Sequence, residues 1–437
     1  MPSTTLRSSP PPEVHARDLL PSTGELPAGL DGTFLRLGPG RAEGRDTRPR
    51  GLGGAPWLAG LRLRAGRAEW FTCRRVLTDG ACRQLGLLPP PGPRRGVSDR
   101  ANAGVMAHAG RILALGDGGV LPYELGPDLA TRARHDFDGT LPAGFSAHPR
   151  RDPVTGELYA VAYSHEPPHV QLLVVGVDGR VSRSVDVEGV TGAPMMHAFS
   201  LTEHYAVLYD LPVAYTGGSA PYRWQEGRAA RIGLLPRRGA GPARWFEIEP
   251  CFVLHPMNAF EAGETVVLDV IRYDRAFDRD PLCPGEAPPN LWRWTVDLRS
   301  GGVREERLDD QGQEYPAIDE RYAGAAYRYG FAAAVSCDSR PYGAEALLRH
   351  DLRAGRVERH EFGPGHEVGD PVFVPRSPDA PEGDGWVMAY VRAPSGAAQF
   401  AVLDTRDFAG PPLARIPLPA LGPRGFHSSW LPAVWAR

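Results

Sequence analysis

Short apolar runs, rather than long amphipathic ones, mark this chain from end to end. Thr33 to Leu37, Arg111 to Leu115, Leu158 to Tyr163, Val170 to Val175 and Tyr205 to Tyr209 open the series. Thr265 to Ile271, Leu291 to Thr295, Trp386 to Val391 and Phe400 to Leu403 continue it. Their length and their Val, Leu, Tyr and Trp content predict strands buried on one or both faces. No comparable helical periodicity is present. Between the runs lie 52 Gly and 45 Pro, and Asp-Gly recurs at 31–32, 79–80, 117–118, 138–139, 178–179 and 384–385. Asp-Gly between apolar runs predicts tight hairpins.

Many short strands joined by hairpins over 437 residues imply one large all-β array. A β-propeller satisfies this best, because radial repetition leaves few exposed strand edges. Seven blades would take about 62 residues each, more than a bare four-stranded blade needs. The surplus falls in loops, which would gather on one face as a dome over the axis. A pair of β-sandwiches is the alternative. Met1 to Glu13 is rich in Pro and Ser and lacks the apolar stretch of a signal peptide, so residues 1–24 are expected to form a disordered arm. Residues 25–437 are then a single propeller. Pro89 to Arg95 and Pro281 to Pro289 read as long loops.

Composition narrows the function. A net charge of −3 gives no reason to expect nucleic acid as a partner. The five cysteines, Cys73, Cys82, Cys251, Cys283 and Cys337, are scattered and contain no C-x-x-C pair. That argues against a disulfide framework or a zinc knuckle and favours a reducing compartment, the cytoplasm. No apolar stretch is long enough to span a bilayer. Every basic residue is arginine, which removes lysine chemistry altogether.

Four histidines stand out by spacing. His148, His197, His255 and His427 lie 49, 58 and 172 residues apart in turn, close to one, one and three blades. In a propeller the innermost strands converge on the axis, so one histidine from each of four blades would meet there. Four neutral imidazoles suit a divalent first-row metal such as Fe, Ni, Cu or Zn and leave octahedral positions open. The same spacing is compatible with four unrelated core histidines, since a lone buried histidine is ordinarily a hydrogen-bonded core residue.

The local sequences go further. They are Phe145-Ser146-Ala147-His148-Pro149-Arg150, Met195-Met196-His197-Ala198-Phe199 and Leu254-His255-Pro256-Met257-Asn258-Ala259-Phe260-Glu261, then Gly425-Phe426-His427 with Trp430-Leu431-Pro432. With Leu30-Asp31-Gly32-Thr33-Phe34-Leu35-Arg36-Leu37-Gly38-Pro39-Gly40 near the start, they resemble the carotenoid cleavage oxygenase family, as a divergent, bacterial-type member. The resemblance runs from about residue 25 to the end. It implies a seven-bladed propeller with one Fe(II) per chain on the axis, held by His148, His197, His255 and His427. It also implies oxidative cleavage of a conjugated C=C bond by O2 to two carbonyl products. An apocarotenoid-like polyene is the expected substrate, and a stilbene or phenylpropenoid is the alternative within the family. The chain is expected to act as a monomer, without a transmembrane segment and with at most peripheral membrane contact.

In that family glutamates hold three of the four histidines. Carried over by motif, the positions are Glu314, Asp370 and Asp117, two of them one methylene shorter. The shortened pair motivates a different reading, a propeller that binds an apolar ligand without turnover. Stilbene-cleaving relatives place a lysine just before the first of these acids, where this chain has Gly116. Many relatives place a threonine facing the metal's open position, where this chain has Ala103. Trp57, Trp70, Tyr123, Phe145, Phe199, Trp224 and Trp430 are candidates to line the substrate tunnel, with plain core the competing role.

Overall fold

The computed structural model describes residues 13–38, 55–94, 100–218, 221–239, 241–280, 285, 287–336, 344–419 and 427–433. Pro39, Gly40, Gly425 and Phe426 of the motifs above, and part of the 281–289 loop, lie outside them. The strands form seven antiparallel sheets of four to six strands and one two-stranded ribbon. The seven sheets are the blades of a propeller. All nine runs predicted as strands are strands.

Blade 3 shows why the sequence folds this way. Its strands, in order, are Arg150–Arg151, Leu158–Tyr163, Val170–Val175 and Val181–Asp186. The two middle strands are buried at every position, because neighbouring blades cover both of their faces. The last strand alternates half-buried and exposed, as an outer edge should. Each fully buried Val or Leu here contributes about 1.5–3 kcal/mol. Asp178-Gly179 makes the predicted hairpin, with Gly179 at φ 80°. Asp79-Gly80 does not: it opens a helix, Asp79–Leu85, in which the Ala81 amide donates to Thr78 Oγ1 at 3.1 Å. A Thr cap followed by an acid in the first turn outweighs the turn signal there. Asp31-Gly32 and Asp384-Gly385 lead into strands instead of joining them.

The strands on the axial edge of the seven blades are His427–Pro432, Gly104–His108, Arg150–Arg151, Ser200–Leu201, Phe252–Ala262, Gln313–Ile318 and Val372–Pro375. The expected arm is corrected in part. Residues 1–12 lie outside the described range, but Val14–Leu19 pairs with Arg67–Arg75 in blade 1, and Thr23–Gly24 pairs with Ala414–Leu418 in blade 7. The ring closes in blade 1, where His427–Pro432 pairs with Gly32–Gly38.

Contacts between adjacent blades recur at one-blade intervals. Glu261 accepts from Thr202 Oγ1 at 2.5 Å and from the His204 amide at 2.7 Å. Glu382 accepts from the amides of Arg328 and Tyr329 at 2.6 and 2.9 Å. These partners are 53 to 59 residues apart. Among the described residues no helix is long and apolar enough to cross a membrane.

Candidate metal centre

His148 and His197 lie in loops that lead into the axial strands of blades 3 and 4, and His427 begins the axial strand of blade 1. His255 lies within the axial strand of blade 5, at a break in its pairing. The register shifts between Val253 and Pro256 and again between Pro256 and Asn258. Pro256 has no amide to donate, so the ladder cannot run straight through, and the bulge turns the His255 ring to the axis. A second bulge, between Glu314 and Ala317, sets Glu314 beside it. Tyr315 is left-handed there, at φ 57°, and its amide donates to Glu314 Oε2 at 2.5 Å.

The four predicted histidines meet. One ring nitrogen from each lies within 4.8 Å of the others. Ring centroids of His148 are 4.5, 5.1 and 4.6 Å from those of His197, His255 and His427. Two of the rings are fixed from behind. His197 Nδ1 donates to Asp117 Oδ2 at 2.7 Å, and His255 Nδ1 donates to Glu314 Oε2 at 2.6 Å. Each carboxylate has a buried phenol beside it: Tyr163 by Asp117, and Tyr273, which donates to Glu314 Oε1 at 2.8 Å. The Gly118 amide adds a bond to Asp117 Oδ1 at 2.9 Å. Burial acts to raise the Asp117 pKa, but His197 and these donors outweigh it and hold the carboxyl below its usual range. Tyr163 and Tyr273 had no local signal in the sequence, since each ends or nearly ends an apolar strand like any packed aromatic.

The third carboxylate behaves otherwise. Asp370 Oδ2 is 3.8 Å from His427 Nδ1, too far for a hydrogen bond. Its two oxygens accept instead from the Ser428 amide and Ser428 Oγ, both at 2.6 Å. Of the three acids expected behind histidines, Asp370 alone makes no direct bond to one: its shorter side chain stops at the neighbouring residue. Burial, only partly offset by Ser428, pushes the Asp370 carboxyl up. Ala103 is buried at the head of blade 2's axial strand, its amide bonded to Leu115 O at 3.1 Å. Of the candidate tunnel aromatics, Trp57, Tyr123, Phe145 and Phe199 belong to packed interior clusters.

The cluster fits a metal. With Nδ1 of His197 and His255 committed as donors, their Nε2 atoms carry lone pairs. His255 Nε2 is buried with no hydrogen-bond partner. His197 Nε2 lies 3.0 Å from His148 Nε2, a contact in which a shared cation can replace a shared proton. Burial, and then the neighbouring histidines, push His148 and His427 well below the usual imidazole pKa, which favours the neutral form a metal would need.

A family model described as retinal pigment epithelial membrane protein matches residues 9–432. A carotenoid cleavage oxygenase of Mycobacterium tuberculosis is 38% identical over 97% of this chain and 95% of its own length. This chain is a member of the carotenoid cleavage oxygenase family. Solved relatives agree: the cobalt-substituted Synechocystis ACO superposes with a TM-score of 0.84 at 26% identity, covering 97% of each chain. Lignostilbene dioxygenase of Pseudomonas brassicacearum superposes with a TM-score of 0.86 at 29% identity, covering 97% of this chain and 96% of its own. This carotenoid cleavage oxygenase homologue is therefore an enzyme of an alkene-cleaving oxygenase family, built as a propeller.

Proposed function

We propose that His148, His197, His255 and His427 hold one Fe(II) per chain, and that the enzyme cleaves a conjugated C=C bond of an apocarotenoid-like polyene with O2 to give two carbonyl products. One observation carries the reading: four imidazoles converge on one point with no carboxylate among them. Such a set keeps the full charge of a divalent ion and leaves coordination positions free. Bound iron would supply the site at which O2 is taken up and activated.

The protein's own part is orientation. Asp117 and Glu314 fix the tautomers of His197 and His255, so that each presents a lone pair to the axis. Asp370 acts at one remove, pinning Ser428 and thereby the backbone that carries His427. Ala103, a small side chain, would leave the sixth position open. We take the enzyme to be a cytoplasmic monomer. Leu87 and Leu88, exposed just beyond the Asp79–Leu85 helix, would allow transient contact with a membrane surface.

The likeness to lignostilbene dioxygenase favours a second reading, cleavage of a stilbene or phenylpropenoid alkene. Gly116, in the position where stilbene cleavers are expected to carry lysine, weighs against a phenol activated in that way. The test is reconstitution with Fe(II) under argon, followed by O2 and a panel of apocarotenals and hydroxystilbenes read by product mass. Iron near one equivalent, with carbonyl products from the polyenals, is expected. Protein that takes up no iron would overturn the oxygenase reading and leave a propeller that binds an apolar ligand without turnover.

A further inference from the structure

Among the described residues, one arginine packed on the Asp117 loop is left without an ion-pair partner. Arg100 precedes the axial strand of blade 2 and is partly buried. Its backbone is clamped onto the Asp117 loop: a Cβ on Gly116 would lie 2.7 Å from the Arg100 carbonyl oxygen. Its guanidinium reaches over the same loop, and a Cβ on Gly118 would lie 3.8 Å from Arg100 Nη1. Its charge acts on the hydroxyls of both Tyr163 and Tyr222, whose rings are 5.8 Å apart. Among the described residues Arg100 forms no hydrogen bond and no ion pair.

The acid of that loop is already engaged elsewhere. Asp117 accepts from His197 Nδ1 and the Gly118 amide, with the Tyr163 phenol beside it, and makes no bond to Arg100. A partly desolvated guanidinium carries a standing cost unless something pairs with it. Arginine's planar fork suits a carboxylate or phenolate oxygen, which it binds by charge-assisted hydrogen bonds. Tyr222 adds a hydroxyl on the same side, partly buried beside Tyr163.

We propose that Arg100, with Tyr222, is a subsite for an anionic oxygen on the alkene substrate, a carboxylate or a phenolate. The inference rests on the alkene-cleaving reading and narrows it. The substrate has one charged end and one apolar end. Because Arg100 packs against Gly116 and Gly118, which flank the acid that holds His197, the cleaved bond is close to the charged end. Without this anchor a hydrocarbon could slide along the axis and present several bonds to the metal, whereas a bound oxygen sets the register.

The test is binding under argon, where no turnover occurs, with the full-length protein and saturated analogues that cannot be cleaved. Three ligands share one apolar body and end in a carboxylate, a phenol or a methyl ester. The carboxylate should bind about tenfold more tightly than the ester. The phenol should approach the carboxylate only above its own pKa. Arg100→Met should abolish the preference for the acid while leaving ester affinity unchanged, and Arg100→Lys should restore part of it. Equal affinity of the unmodified protein for acid and ester would overturn the subsite, as would full preference retained in Arg100→Met. Admitting O2 to the iron-loaded protein with the unsaturated acid and ester tests the oxygenase reading apart from this. Failure to cleave either, with the binding preference intact, counts against cleavage and not against Arg100.

Discussion

Asp117 Oδ2 lies 2.7 Å from His197 Nδ1, and Asp370 Oδ2 lies 3.8 Å from His427 Nδ1, although both acids are a methylene shorter than the glutamate expected from the family. The backbone explains the difference. Asp117 is followed by Gly118 and Gly119 at φ 76° and 70°, and Gly116 allows the chain to press against Arg100 O. Three glycines let the loop move in by the length that the side chain lost. Asp370 has no such freedom. It precedes Pro371, and both its oxygens are occupied by Ser428. The same substitution is thus absorbed in one arm and redirects the carboxylate in the other. What a shortened ligand-holding acid does depends on whether the segment carrying it can advance.

Six substitutions sharpen that contrast, the first four taken from the largest effect down. His255→Ala removes a ligand and strands Glu314, and bound iron should fall from near one equivalent to near zero by elemental analysis. Asp117→Asn should weaken metal affinity by about 10–100-fold in chelator competition, the usual cost of losing a carboxylate behind a ligating histidine. Equal retention by Asp117→Asn and the unmodified protein would show that the Asp117 arm is not working. Tyr273→Phe leaves Glu314 Oε1 buried and short of a donor. It should cost about 1.5–3 kcal/mol of stability in denaturant unfolding, with a smaller loss of metal affinity than Asp117→Asn. Asp370→Asn should change metal affinity least, by less than about threefold, because no bond to His427 is lost. Asp370→Glu is the counterpart: the added methylene can reach His427 Nδ1, so metal release should slow, whereas Asp117→Glu should bring no such gain.

The strands and the convergence of the four histidines were legible because both are periodic. Strand composition repeats locally, and blade-to-blade geometry repeats at 53 to 59 residues, as the pairs of Glu261 with Thr202 and His204 and of Glu382 with Arg328 and Tyr329 show. His148, His197, His255 and His427 ride on that period. Asp-Gly was a poorer guide, since its meaning depends on what precedes it: Thr78 turned one copy into a helix start. Residues 14–24 looked like an unstructured arm because the strand signal is weak where only an edge is added. Tyr163, Tyr273 and Ser428 were invisible for another reason. They act across blades or through backbone contacts, and no spacing along the chain records which buried hydroxyl meets which carboxylate.

His427 opens the strand that closes the ring against Gly32–Gly38, and that strand follows every other described strand in chain order. Fastening the propeller and bringing the fourth imidazole to the axis are therefore one event. Blades 2 to 7 by themselves hold only three of the four imidazoles, so the complete cluster is a local record of whether the whole ring has closed.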